Sequence, residues 1–444
     1  MRSSHSLDRI ATTFDDGGLI ADAGLLLPAT LAQHLGLREL FDAHVDLGPN
    51  PGRAHVGDKA LTLIMSALAG GDCIDDAGAL RAGDSAAVLG HSVRAPSTLG
   101  TFLRSFSWAH ARQLDAVSRE LLVRAWTAGA GPAPDALTID VDSTICETYG
   151  LQKQGGTHFT YTHVRGYHPL LAVAAGSGDV LHSRLRGGRA KSGNGAASFL
   201  AETFARVRGA GFGGALTVRA DSGFYAAAVV RACRRAGARF SITVVLQKGL
   251  RARIEAIPEA DWAPIPYWQE GGADVAEMPY MPFAHDHADA PEVRLIVRRV
   301  RPTPGSQLAL FVPYAYHAFI TDRAGEMLTL ERDHRRHAEV ENTIRDLKDG
   351  VGLAHLPSGR FGANAAWLAL QVMAHDLARW TSRIGLGETL ITTKTLRSRF
   401  LALPGRVARS ARRLLLHLPQ RWPWADRFAA ALSALRAISL PLTA

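Results

Sequence analysis

The chain has 444 residues, 47% hydrophobic and 20% charged, an ordinary globular balance that as a soft prior holds about two to four domains. A formal net charge of +9 suits a polyanionic partner, although a basic surface also serves solubility. Three scattered cysteines, Cys73, Cys146 and Cys233, exclude a disulfide framework, and no apolar run approaches the roughly 20 residues of a membrane helix, so a soluble cytoplasmic protein without a signal core is expected.

Residues 1–130 read as mostly helical. DKALTLIMSALAG (58–70) places apolar residues at helical spacing, and APSTLGTFLRSF (95–106) opens with Pro and Ser, good helix starters. Ser97, Thr98 and Arg104 on the latter could enter a DNA groove, or the segment could be an ordinary bundle helix. GAGPAP (129–134) reads as a linker. ALTIDVDSTI (136–145) is β-branched and reads as a strand. GYHPLLAVAAGSG (166–178) and DVLHSRLRGGRA (179–190) read as a hairpin. A helix over 194–211, a strand over 215–223, a helix over 224–237 and a strand over 239–246 complete the order β-β-β-α-β-α-β.

From about 250 to 318 Pro, Gly and Trp are frequent, which reads as a β-rich insertion with strand-like pieces at 293–300 and 307–322. A long helical region follows from about 333 to 382. The remainder, 383–444, holds eleven Lys/Arg against only Glu388 and Asp426, a basic arm suited to phosphate contact or a solvated face. Within it, 406–419 could be a basic hairpin and 424–438 a closing helix.

Carboxylates carry the chemistry. Asp140 and Asp142 lie two apart on a strand and so face the same side, which is costly without a cation or hydrogen bonds. Asp221 ends the strand in VRADSGFY, where functional groups collect, although an Asp there also caps the following turn. On HRRHAEVENTIRDLKDGVGL (334–353), His334, His337, Glu341, Ile344/Arg345 and Lys348 share one helical face. Taken alone this is a salt-bridged surface helix. Together, two strand carboxylates and a helical one could meet at one point, as hard oxygen ligands for Mg²⁺ or Mn²⁺. Two such ions roughly 3.5–4 Å apart can activate a water or a 3′-hydroxyl and stabilise the leaving oxygen at phosphorus.

These residues resemble those of a DDE transposase of a bacterial insertion sequence, closest to the group numbered thirteen-eighty, whose last motif reads Y-x2-R-x3-E-x6-K. The resemblance covers most of the chain. It implies an α/β fold with a ribonuclease-H-like catalytic core. Residues 1–130 would be a helical DNA-end-binding region, 135–250 the first part of the core, 251–318 a β-rich insertion, 319–382 the second part and 383–444 a basic C-terminal region. It implies Asp142 (in Asp142-Ser143-Thr144), Asp221 and Glu341 as catalytic residues and ligands of two Mg²⁺ or Mn²⁺ ions. Asp140 becomes a supporting neighbour. The family's Tyr and Arg positions are His334 and His337 here, which supply less charge than Arg. Lys348 with His337, His334, Arg335, Arg336 and Arg345 would contact DNA, and Trp262 or Trp268 could stack a splayed base or equally belong to the core. The implied partners are double-stranded DNA ends with terminal inverted repeats, target DNA and a second copy of the chain.

DVDST also fits the loop of haloacid-dehalogenase-type phosphatases, with Asp140 as nucleophile and Asp142 as acid/base, but that fold wants a helix next, and a loop and second strand follow instead. A DNA-binding relative without catalysis is a third reading, disfavoured by the presence of all three carboxylates. HDHAD (285–289) lacks further ligands at usual spacing and reads as a polar loop.

Overall fold

A computed structural model describes residues 7–49, 54–156, 158–266, 272–284, 292–301, 314–389, 391–410 and 413–439. Trp268 and HDHAD lie outside the described residues.

The N-terminal part is helical after a two-residue strand β1 (Leu19–Ile20). It comprises α1 (Leu26–His34), α2 (Leu37–His44), α3 (Val56–Ala69), α4 (Ser85–Leu89), α5 (Pro96–Arg104) and α6 (Trp108–Ala125). Pro96 at the first position of α5 fixes the helical φ and has no N–H to leave orphaned. Leu99, Phe102 and Leu103 turn inward, while Ser97 and Arg104 remain exposed.

The sequence then changes period. Strands β2 (Ala136–Ser143), β5 (Leu170–Ala174), β6 (Val180–Arg184), β7 (Ala215–Ala220) and β8 (Arg239–Thr243) form the core of a sheet. A small pair, β3 (Cys146–Glu147) and β4 (Gly166–Tyr167), stands beside it. Pro169 separates β4 from β5, since it cannot donate to a ladder, so the strand expected over 166–178 is two pieces. β2 runs antiparallel to β5 and parallel to β7, β5 is antiparallel to β6, and β7 is parallel to β8. That is third-second-first-fourth-fifth, the mixed α/β arrangement expected of a ribonuclease-H-like core. Helices α7 (Ala196–Gly209) and α8 (Ala227–Arg235) make the two crossovers.

After α9 (Lys248–Glu255) come β9 (Ala263–Pro264), β10 (Ala273–Tyr280), β11 (Val293–Val300) and β12 (Ala315–Thr321). They are not a separate layer. β12 pairs antiparallel with β8, and the result is one nine-stranded sheet, β6-β5-β2-β7-β8-β12-β11-β10-β9. The boundary expected at 318/319 therefore falls inside β12.

The long helical region is also broken. α10 (Met327–Arg335) passes through a tight turn at Arg336–Glu339 into α11 (Val340–Arg345), then a wide turn at Asp346–Gly350. A segment containing Gly352 and Pro357 intervenes before α12 (Phe361–Trp380). α12 is buried along nearly its whole length, between α3, α5 and α6 on one side and β6 on the other. A helix buried on all sides has no solvent face to offer, and α12 is what joins the N-terminal helices to the sheet.

The chain ends with the short α13 (Thr393–Leu396), the hairpin β13 (Gly405–Ser410) and β14 (Arg413–His417), and α14 (Ala425–Arg436). β13 pairs with β1, and α14 packs on α1. Among the described residues, five of the eleven Lys/Arg expected as a basic arm make side-chain ion pairs or hydrogen bonds with their own protein. Arg383 grips Asp179 and Arg397 donates to the Leu68 and Ala67 carbonyls, while Arg406, Arg409 and Arg427 pair with Asp16, Asp84 and Glu388. No helix among the described residues is long and apolar enough to cross a membrane.

Candidate active site

The two aspartates of β2 share a face but meet different neighbours. Asp140 lies in register with Arg219 on β7, and both are essentially buried. Arg219 donates from Nε and Nη2 to the two carboxylate oxygens at 2.8 Å each. His337 Nδ1 lies 3.0 Å from Oδ1. Arg219 Nη1 continues to the Asp333 carbonyl at 2.6 Å and carboxylate at 3.2 Å, and Arg323 also pairs with Asp333. The cation beside Asp140 is thus a guanidinium. A buried charge clamped in this way is poorly placed to attack phosphorus, and β2 is followed by strands rather than a helix, so the phosphatase reading is not favoured.

Asp142, near the exit of β2, has no such partner among the described residues. It is half-buried and accepts from the Ser143 N–H at 2.6 Å. Burial raises its carboxyl to about 6. The Ser143 N–H and His337 oppose that shift, and the charges of Asp221 and Glu341 add to it. Those last two influences place carboxylates from β7 and α11 within electrostatic reach of Asp142.

Asp221 sits just past β7, exposed, and caps the short turn Ser222–Phe224 through Oδ1, which accepts from Gly223 N at 2.9 Å. The capping role is real, and it uses only one oxygen. Gly223 is required here, because a Cβ would lie 2.7 Å from Ser192 Cβ and 3.1 Å from Asp221 Oδ1. Ser192 Oγ is in turn 3.0 Å from Ser143 Oγ, which ties the β6–α7 loop to the end of β2.

Glu341 is exposed on α11. His337 and Glu341 border a cleft of about 500 Å³ that is also lined by Thr243 and Phe319. Lys348 is half-buried in the wide turn and donates to the Ile145 carbonyl at 2.9 Å. The same helical segment thus reaches β2 and its exit twice, through His337 and through Lys348.

The remaining expected contacts divide. His334 is packed away, stacked on Phe319 at 4.0 Å, with Ser241 Oγ 2.7 Å from Nδ1 and Thr243 Oγ1 3.0 Å from Nε2. Burial drives its pKa well below the ordinary value and keeps it neutral. Neither ring nitrogen is left for a phosphate, a correction to the expected contact. Arg335 pairs with Glu331, Arg336 with Glu339, and Arg345 with the Asn342 side chain. Arg336 and Arg345 are exposed at the surface. Trp262 is half-buried, with the Arg299 guanidinium 4.3 Å from its ring and Tyr314 on the other side of Arg299 at 4.4 Å. That ring packs within the sheet's outer strands. Sequence reasoning missed Arg219. The signal was available, since an Arg inside an apolar strand needs a partner, but nothing local said which.

A family model described as "Transposase DDE domain group 1" matches residues 3–440. No curated protein matches the sequence. Among solved structures, the chain is similar to one described as a cryo-EM structure of the piggyBac transposase synaptic complex with hairpin DNA. The TM-score is 0.45 at 10% identity, covering 85% of this chain and 79% of that one.

Proposed function

This chain belongs to the group 1 family of transposase DDE domains, and we propose on that footing that it cleaves and rejoins DNA at the terminal inverted repeats of an insertion sequence. The element would be of the group numbered thirteen-eighty, moved by cut-and-paste, with the protein acting as a homodimer on DNA. The observation that supports this reading is that the half-buried Asp142, on β2, feels the charges of Asp221, just past β7, and Glu341, on α11.

The donor set fits a divalent cation. All three groups are carboxylates, and the half-buried Asp142 has no cationic partner bonded to it among the described residues. Asp142, Asp221 and Glu341 would hold Mg²⁺ or Mn²⁺, two ions in number, supplying charge neutralisation and Lewis acidity for displacement at phosphorus. The chain's own part is positional. One ligand would stand on β2 and another just past the adjacent parallel strand β7, and the Asp140–His337 contact would set the helix bearing the third. Lys348, fixed at the exit of β2, would lie beside the DNA backbone, and Arg336 and Arg345 could meet it further out.

The test is cleavage of a labelled duplex carrying the element's end, in Mg²⁺ or EDTA, by wild type and Glu341→Gln. Metal-dependent nicking at the end, lost in the variant by a factor of about 10² or more while binding persists, is the expected result. Equal nicking by both proteins removes Glu341 from the site.

A further inference from the structure

Two loops flank the carboxylates, and neither contains an Asp or Glu. One runs from Thr148 to Gly166, between β3 and β4. The other runs from Leu185 to Gly195, between β6 and α7. They form a single surface, because Gly188 N donates to Gly155 O at 3.2 Å and Gly187 bridges to Tyr167.

The surface displays large rings. Tyr149 is 78% exposed, Phe159 60% and Tyr161 70%. Their backbone is nevertheless held. Thr148 donates from N to Arg165 O at 2.9 Å and from Oγ1 to Gly156 O at 2.5 Å. Arg186 organises the second loop by donating to the carbonyls of His168, Lys191, Ser192 and Asn194. Rings exposed on an anchored backbone are ready for a partner without ordering cost.

Cations accompany the rings. The Arg165 guanidinium lies 5.0 Å from the centre of the Phe159 ring, and Arg189 and Lys191 are exposed on the second loop. The position is also informative. Tyr161 lies 5.5 Å from the His168 ring, and His168 is close enough to Asp221 to feel its charge. The loop that holds Lys191 is bonded to the end of β2 through Ser192 and Ser143.

We propose that this surface, with Phe159 and Tyr161 as stacking platforms and Arg165, Arg189 and Lys191 as backbone contacts, binds unpaired bases of the DNA strand next to the carboxylates. The proposal rests on the transposase reading and adds the part of the substrate that this surface takes. Positive charge alone would suit any polyanion. Rings add a requirement for an open base face, which a paired duplex hides inside its stack. The exposed charges of the two loops themselves are all positive, which is poorly suited to pairing with a second copy of this basic chain.

The experiment uses the full chain and two labelled probes, a fully paired duplex and the same duplex with an oligothymidine fork. Wild type is expected to bind the forked probe more tightly. Phe159→Ala/Tyr161→Ala should weaken forked binding roughly tenfold and leave paired binding unchanged. Phe159→Tyr/Tyr161→Phe, which keeps both rings, should retain the preference. Arg189→Ala/Lys191→Ala should weaken both probes and flatten the salt dependence. A wild type that binds and nicks DNA without preferring the fork overturns the proposal and leaves the transposase reading standing. So does an alanine variant that keeps the fork preference but loses self-association in sedimentation. A wild type that binds neither probe overturns both.

Discussion

At the scale of single residues, the difference between Asp140 and Asp142 decides the chemistry. Alternation along DVDST is enough to put both on one face. It does not reveal that one is clamped by a guanidinium, because Arg219 comes from another strand and a local pattern carries no information about a distant partner. The unpartnered aspartate has a measurable consequence. Burial raises the Asp142 carboxyl from an ordinary 3.8 to about 6, so the folded protein binds that proton more tightly than the unfolded chain. Its contribution to stability is complete below about 4 and is lost as the pH rises through about 6. Metal-free protein should therefore melt at lower temperature above that window than Asp142→Asn does, by roughly 2–4 °C. Mg²⁺ should restore the wild type and not the variant. Melting curves against pH, with and without Mg²⁺, check this, and an identical Mg²⁺ response in both proteins would take Asp142 out of the metal site.

At the scale of elements, Arg219 ties three of them together. It belongs to β7, grips Asp140 on β2 and reaches Asp333 on α10, and Asp140 also holds His337 on the turn that leads into α11. The elements so joined carry or lead into all three carboxylates. Removing one partner of a buried pair costs more than removing both. Arg219→Met should lower unfolding free energy by about 3–5 kcal/mol in urea titrations, with part of it recovered in Arg219→Met/Asp140→Leu. A single variant as stable as wild type would show that the clamp holds nothing. Much of this level was legible. β-branched alternation located β2, β7 and β8, and the Asn and Gly flanking 194–211 bracketed α7. The joining of β10, β11 and β12 to the main sheet was not legible, since a strand's pattern shows its faces and not its neighbour. The third carboxylate's helix was read as regular. The wide turn at Asp346–Gly350 packs against α12 and α13, and the tight one at Arg336–Glu339 is held to β2 through His337 and Asp140, partners that local propensity does not show.

At the scale of the molecule, charge proves to be structural as much as functional. The C-terminal arginines looked like a phosphate-binding arm because composition counts charges without showing what they touch. Arg397 is the clearest case. It donates to the Ala67 and Leu68 carbonyls at the end of α3, and to the Gly350 carbonyl in the turn that holds Lys348. Arg397→Ala takes a donor from each of those carbonyls, although that of Ala67 keeps the Gly70 N–H, and should cost about 3 kcal/mol. The slope of DNA affinity against salt should not change, because no phosphate contact is lost. Thermal melting with binding isotherms at several salt concentrations measures both. A reduced slope with unchanged stability would return Arg397 to the DNA interface.

The pairing of β1 with β13 has a consequence for synthesis. Leu19–Ile20 is translated well before its partner strand Gly405–Ser410, so the sheet they form stays open until the segment between them has emerged. All three carboxylates are translated before that sheet closes. A polypeptide interrupted just before Gly405 would carry Asp142, Asp221 and Glu341 and still lack the strand that pairs with β1. Such a product would expose an unpaired strand edge, and its fate would be set by proteolysis and aggregation before any encounter with DNA.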